Sequence, residues 1–210
     1  MSTFRIGGCS VTILPVIKGL VSEYDRVKQA ITSDYDCIAV SLGLEEIEVI
    51  RASEGQEWDY DPSNLDSVYA HHLKNFGEVS VPVPAFKAVI DACKDMGVQP
   101  MPLDMCDEDF TKMYCDLVST FDLLKENRVL KKSMKTKFDL SSPEAFVRQW
   151  DDLINTIKGQ YAVSLRREEY IAGQLVDLSN YKKNVLAIIE YERVDGIMIE
   201  LEGKIDLRQV

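Results

Sequence analysis

The chain reads as an α/β protein: a central, mostly parallel β-sheet flanked by helices, with a helical insert. Two observations predict this. Short apolar runs such as "CIAV" and "VLAII" have the make-up of strands buried on both faces, and they alternate with segments whose apolar residues recur every three or four positions. Strands alternating with helices of this length imply crossover connections and parallel pairing. The 210 residues, 46% of them hydrophobic, suffice for one substantial core, so a single domain over 1–210 is expected, with the helical insert around 107–160.

In chain order, "RIGGCSVTILP" is strand-like and runs through Gly7-Gly8-Cys9-Ser10, a small-residue elbow where the backbone turns sharply and a side chain is presented. "SEYDRVKQAITS" places Val27, Ala30 and Ile31 on one helical stripe, with Ser22 and Asp25 at capping-box spacing. "DCIAVSL" is a buried strand behind the turn-forming "SDYD", which gives β, α, β within the first 42 residues. The polar stretch "EGQEWDYDPSNLDS" predicts a surface loop or lid. In "PAFKAVIDACKDMGVQPMPLD", Phe86, Val89, Ile90 and Cys93 share a helical stripe, Gly97 stops the helix, and a short strand follows to Leu103. "EDFTKMYCDLVSTFDLLKENR" is expected to be one long amphipathic helix carrying Met113, Leu117, Phe121 and Leu124. "SSPEAFVRQWDDLINTIKG" opens on a helix start, with a Ser cap, Pro143 and Glu144 in the first turn. The remainder reads as helix, turn, strand, and a final strand-like "GIMIEL".

Composition excludes several functions. The longest apolar runs fall far short of the roughly 20 residues that span a bilayer, and the N-terminus lacks a basic region followed by an apolar core. No membrane partner and a cytoplasmic location are therefore expected. The net charge of -11 argues against nucleic acid, because phosphate affinity is mainly a Lys/Arg effect. The basic "RVLKKSMKTK" reads as a solvated loop or helix end, with docking on an acidic partner as the weaker alternative. The five cysteines share no CxxC spacing, which suggests neither disulfides nor a zinc knuckle; Cys37 and Cys93 read as small core hydrophobes. Cys9 is a nucleophile candidate only if a base or a positive neighbour comes near it.

The order of these segments resembles the TraB family, the pheromone-shutdown proteins related to the TIKI proteases and more remotely to ChaN and erythromycin-esterase-like proteins. The family opens on a strand ending in Gly-Thr-x-His-Val, then a helix, then a strand ending in Glu-Leu; the counterparts are "GGCSV" and "DYDCIAVSL". A helix closed by Gly and a strand ending in Asp-Arg is similar to "AVIDACKDMGVQPMPLDM", with Asp104 matching and Met105 where Arg is usual. The family's R-x-x-Y-M-A and Gly-x-Gly-His-Val-x-Gly-Ile correspond to "REEYIAGQL" and "IIEYERVDGI".

In the family, the two histidine turns and the strand-end Glu are thought to hold a divalent metal that activates water. Carried over residue by residue, that set becomes Ser10, Ser41 and Arg193, and only Arg167 survives. A hydroxyl is a poor ligand for such an ion and a guanidinium is none. The bare Gly-x-Gly has become Glu190-Tyr191-Glu192. The resemblance thus implies a domain without the family's metal or any other cofactor, the alternative being a divalent ion such as Mn or Zn held by other residues. Its expected role is binding a small anion or a protein, with homodimerisation through the helical insert. The alternative is a peptidase- or esterase-type hydrolase with a rebuilt site. The ligand-binding candidates are Gly8, Cys9, Ser10, Ser41, Asp104, Arg167, Glu190, Glu192 and Arg193. Arg167 and Arg193 flanking Ser10 and Ser41 would suit an anion, since guanidinium and hydroxyl groups donate to oxyanions. Glu190, Glu192 and Asp195 read alternatively as a salt-bridge cluster near a sheet edge, with Glu190 and Glu192 on one side of a continuing strand and Arg193 on the other. His71 and His72 are adjacent, so on a helix they diverge by about 100° and cannot share an ion there.

Overall fold

The computed structural model describes residues 1–53, 63–81, 83–204 and 208–209. The first element is a hairpin. β1 (Ser2–Ile6) and β2 (Cys9–Val16) pair antiparallel, with Ile6 opposite Cys9. The two glycines between them make the turn, and Gly7 takes φ 57°, a left-handed conformation that a residue with a Cβ adopts only at a cost. The "GGCS" elbow is therefore a hairpin tip and not a strand-to-helix turn.

α1 (Glu23–Ala30) leads to β3 (Cys37–Val40) as the periodicity predicts, although Ser22 makes no side-chain cap. α2 (Leu44–Ala52) follows β3, and α3 (Asn64–Leu73) begins inside the expected lid, its Ser63 hydroxyl accepting from the Asp66 amide. Residues 54–62 of that lid lie outside the described residues. α4 (Pro84–Met96) ends at Gly97, φ 68°, and β4 is only Met101–Pro102. The expected long helix is two: α5 (Asp107–Leu117) and α6 (Thr120–Ser133). Ser119 and Asp122 form a reciprocal capping box that restarts the chain as a new helix. α7 (Pro143–Ile154) has the expected Ser142 cap, and α8 (Lys158–Ser179) leads to β5 (Asn184–Glu190). "GIMIEL" is not a strand. It lies in α9 (Tyr191–Lys204), where Ile197 and Leu201, one turn apart, are buried.

The sheet has the order β4-β3-β5-β2-β1-β6, β6 being Arg208–Gln209. β4, β3, β5 and β2 are parallel, and β1 and β6 run antiparallel at one edge. The protein is thus an α/β fold with a mostly parallel sheet. The Asp36 carboxylate accepts from the Lys183 and Asn184 amides at 2.9 and 3.1 Å, which aligns the starts of β3 and β5. One face packs Leu14, Ile38, Leu186 and Ile188 against α1 and α4. The other packs Val11, Ile13, Ala187 and Ile189 against α8 and α9. A third cluster of Tyr69, Leu130, Phe146 and Trp150 joins α3, α6 and α7. Among the described residues no helix is long and apolar enough to cross a membrane.

Candidate functional site

The parallel strands all end on one edge, and there the side chains converge. Ser41 directly follows β3; it is 0% exposed and donates its hydroxyl to the Glu190 carboxylate. Glu190 is the last residue of β5 and is 6% exposed. Arg167, on α8, donates from Nε to Asp104 at 2.7 Å, donates a second hydrogen bond from Nη2 to the same oxygen, and stands 3.8 Å from Glu190. The other Asp104 oxygen accepts the Met105 amide at 2.8 Å. Ser41, Asp104, Arg167 and Glu190, four of the expected site residues, thus form one buried chain of hydrogen bonds and ion pairs. Burial works to raise the Glu190 carboxyl, but Arg167, Arg193 and the Ser41 hydroxyl outweigh it and hold it below the usual carboxylate range.

The other candidates are elsewhere. Gly8 is in the hairpin turn, Cys9 and Ser10 start β2, and Ser10 pairs with Asn184 at the start of β5, so they occupy the opposite edge of the sheet from Glu190. Cys9 is wholly buried, and burial followed by the nearby Asp36 charge pushes its thiol up, the wrong direction for a nucleophile. Burial likewise raises Cys37 and Cys93, each to about 11, as suits core hydrophobes. The turn that ends β2 at the site edge is Ile17-Lys18-Gly19. It is held by Glu23, which accepts the Ile17 amide at 3.3 Å and is itself gripped by Arg26.

Because α9 begins at Tyr191, Glu192 and Arg193 turn with a helix and do not alternate along a strand. Arg193 stands 3.7 Å from Glu168, and Asp151 is close enough to feel both Glu192 and Arg193. Burial and the Glu190 charge raise Glu192, burial and then Glu192 raise Asp151 to about 6, and burial against the opposing pull of Arg193 leaves Glu168 at about 7. Asp195, exposed, pairs with Arg148 at 3.3 Å. His71 is exposed, whereas His72 packs on Phe138 with ring centroids 4.9 Å apart; burial, then the neighbouring His71, lowers its pKa.

Beside the Ser41–Glu190 chain opens a cavity of about 580 Å³. Arg167 and Glu190 form part of its wall, with Lys18 and Gly19 from the β2 turn, Glu45 and Glu46 from α2, and Asp66 and Tyr69 from α3. Its position, outside the carboxyl ends of parallel strands, is where open α/β sheets hold ligands. Gly43 makes the local geometry feasible: a Cβ there would collide with the Met105 carbonyl, so the loops after β3 and β4 can come this close only with glycine at 43. The Gly43 amide donates to Glu46 at 2.8 Å and fixes the first turn of α2.

The residues do not fit a divalent ion. Asp104 and Glu190, the strand-end carboxylates, are both engaged by Arg167, and among the described residues no three His, Cys, Asp or Glu side chains converge on one point. Sequence reasoning missed Lys18, Glu46 and Tyr69. Two signals were present: Lys18-Gly19 directly follows the apolar "TILPVI", and Gly43…Glu46 has N-cap spacing. No family model, curated protein or solved structure matches this chain.

Proposed function

We propose that the chain is a TraB-like domain without the family's metal chemistry, and that it binds a small organic molecule in the cavity at the strand ends. One observation carries this reading. The polar side chains where catalysis would be expected are bound to one another, Ser41 to Glu190 and Arg167 to both Asp104 and Glu190, while a cavity of ligand size stays open beside them. The family is proposed on the sequence resemblance alone; the replaced ligands favour binding over metal-assisted hydrolysis.

The hydrolase reading has one feature in its favour, the Ser41–Glu190 hydrogen bond. A nucleophilic serine needs a base that takes its proton, and a carboxylate held below its usual range by two arginines is a poor one. Self-association through the insert is a further part of the proposal, supported by Phe121, which is 83% exposed on α6, and by Leu124 beside it on the same helix.

Two measurements test the main reading. Titration with Mn²⁺, Co²⁺ and Zn²⁺ is expected to leave the melting temperature unchanged; a shift of several degrees at micromolar ion would move the hydrolase to the front. A thermal-shift screen of small metabolites is expected to give stabilising hits that are lost in Ala70→Trp, which fills the cavity from α3. Hits that survive that substitution would place binding elsewhere.

A further inference from the structure

The cavity wall is selective in its chemistry. Much of it is apolar, from Leu42, Val49, Ile50, Val83 and Phe86 among others. Among the described residues its charged groups are unequal: five carboxylates, on Glu45, Glu46, Asp66, Asp107 and Glu190, against three cations, on Lys18, Lys74 and Arg167. Arg167 is already committed to Asp104 and Glu190, and Lys18 stands 3.9 Å from Asp66. An incoming anion would find Lys74 as the one lining cation that no carboxylate engages among the described residues, and would face the five carboxylates.

Glu46 is exposed on α2 at the cavity wall. Its carboxylate accepts the Gly43 amide, but among the described residues it has no ion-pair partner, and it stands in the field of Glu190 and Asp104. Although the residue is exposed, desolvation by its neighbours raises it and the Glu190 and Asp104 charges add to that rise, against the Gly43 amide and Arg167. A positive charge in the cavity would relieve this. Tyr69 supplies an independent sign of incompleteness. It is 7% exposed, lines the cavity, and its buried hydroxyl has no hydrogen-bond partner among the described residues, although a buried hydroxyl normally finds one. The Lys18 ammonium lies over the Tyr69 ring, 5.8 Å from its centroid, so this wall already accepts a cation on an aromatic face.

We propose that the cavity takes a small organic cation, an amine with an apolar or aromatic body, its ammonium facing Glu46 and Glu190 and its body lying against Val49, Ile50, Val83 and Phe86. The proposal rests on the reading of the chain as a small-molecule binding domain. The anion expected from Arg167, Arg193 and the two serines is replaced for two reasons: Ser10 is at the far edge of the sheet, and both guanidinium groups face carboxylates. The net charge of -11 favours the same ligand, since the field of the whole molecule draws cations towards it.

Three probes of matched shape decide the matter: 2-phenylethylamine, 2-phenylethanol and 3-phenylpropionate, titrated calorimetrically into the full chain at pH 7.5 and low salt. The amine is expected to bind at least ten-fold more tightly than the other two. Glu46→Gln, which keeps the acceptor for the Gly43 amide, should weaken the amine about ten-fold and leave the alcohol unchanged. If the alcohol or the carboxylate binds as well as the amine, or if Glu46→Gln leaves amine binding unaltered, the cation assignment is overturned while the cavity's role as a binding site stands. If none of the three binds, the cation assignment also falls, and the metabolite screen with Ala70→Trp decides separately whether the cavity binds anything.

Discussion

Arg167 holds two buried carboxylates that have no other cation as close. Its replacement by Met would leave Asp104 and Glu190 buried and uncompensated, a defect that typically costs about 3–5 kcal/mol, and urea unfolding should show a loss of that size. Arg167→Lys should recover part of it, since a point charge cannot reproduce the fork on Asp104. Glu168 makes a different prediction. Its native value of about 7 lies above the ordinary 4.5, so between those values the native state holds a proton that the unfolded chain does not. Stability from this group is therefore gained as pH falls from 8 towards 5, and Asp151, at about 6, acts in the same sense. Unfolding free energies at pH 8 and 5.5 should show a smaller difference in Glu168→Gln than in the parent; an unchanged difference would assign the slope to other groups. At this scale the sequence was informative where a residue ends a strand. Glu190 could be placed because it closes an apolar run, whereas Ser41 and Asp104 were picked out by the family resemblance. Gly8, Cys9 and Ser10 misled because a Gly-Gly hairpin tip and a ligand-presenting elbow share the same small residues, and only pairing with a neighbouring strand separates them.

Helices with one buried stripe were legible: α1, α4 and α7 begin close to where Ser and Pro place them, and α4 ends at Gly97. The break between α5 and α6 was also written in the chain, as Ser119 three residues before Asp122, but the stripe Met113, Leu117, Phe121 and Leu124 runs through it and masks it. α9 escaped because "GIMIEL" alternates like a strand; only its position after β5, against α8, selects the helical period, with Glu168 of α8 lying tight against Gly196. The broken stripe leads to a prediction for α6. Phe121 and Leu124 point away from the core, so light scattering after gel filtration should give twice the monomer mass, and Phe121→Asp should return the monomer. A monomeric parent would reduce these residues to surface apolar groups of no consequence.

The fold class of the whole molecule followed from alternation of periods, but the order of strands did not. Nothing local distinguishes a β5 that joins an edge from one inserted between β2 and β3, because both demand the same buried run. That insertion has a consequence for how the chain is made. β2 and β3 are not bonded to each other; each pairs with β5. Ser41 and Glu190 are 149 residues apart, so at synthesis rates of about 5–20 residues per second the two strands wait for roughly ten seconds or more before their shared partner emerges. Until then both present bare hydrogen-bonding edges. The nascent chain is thus most exposed to wrong pairing, and most dependent on chaperone shielding, during the interval occupied by its longest helical stretch.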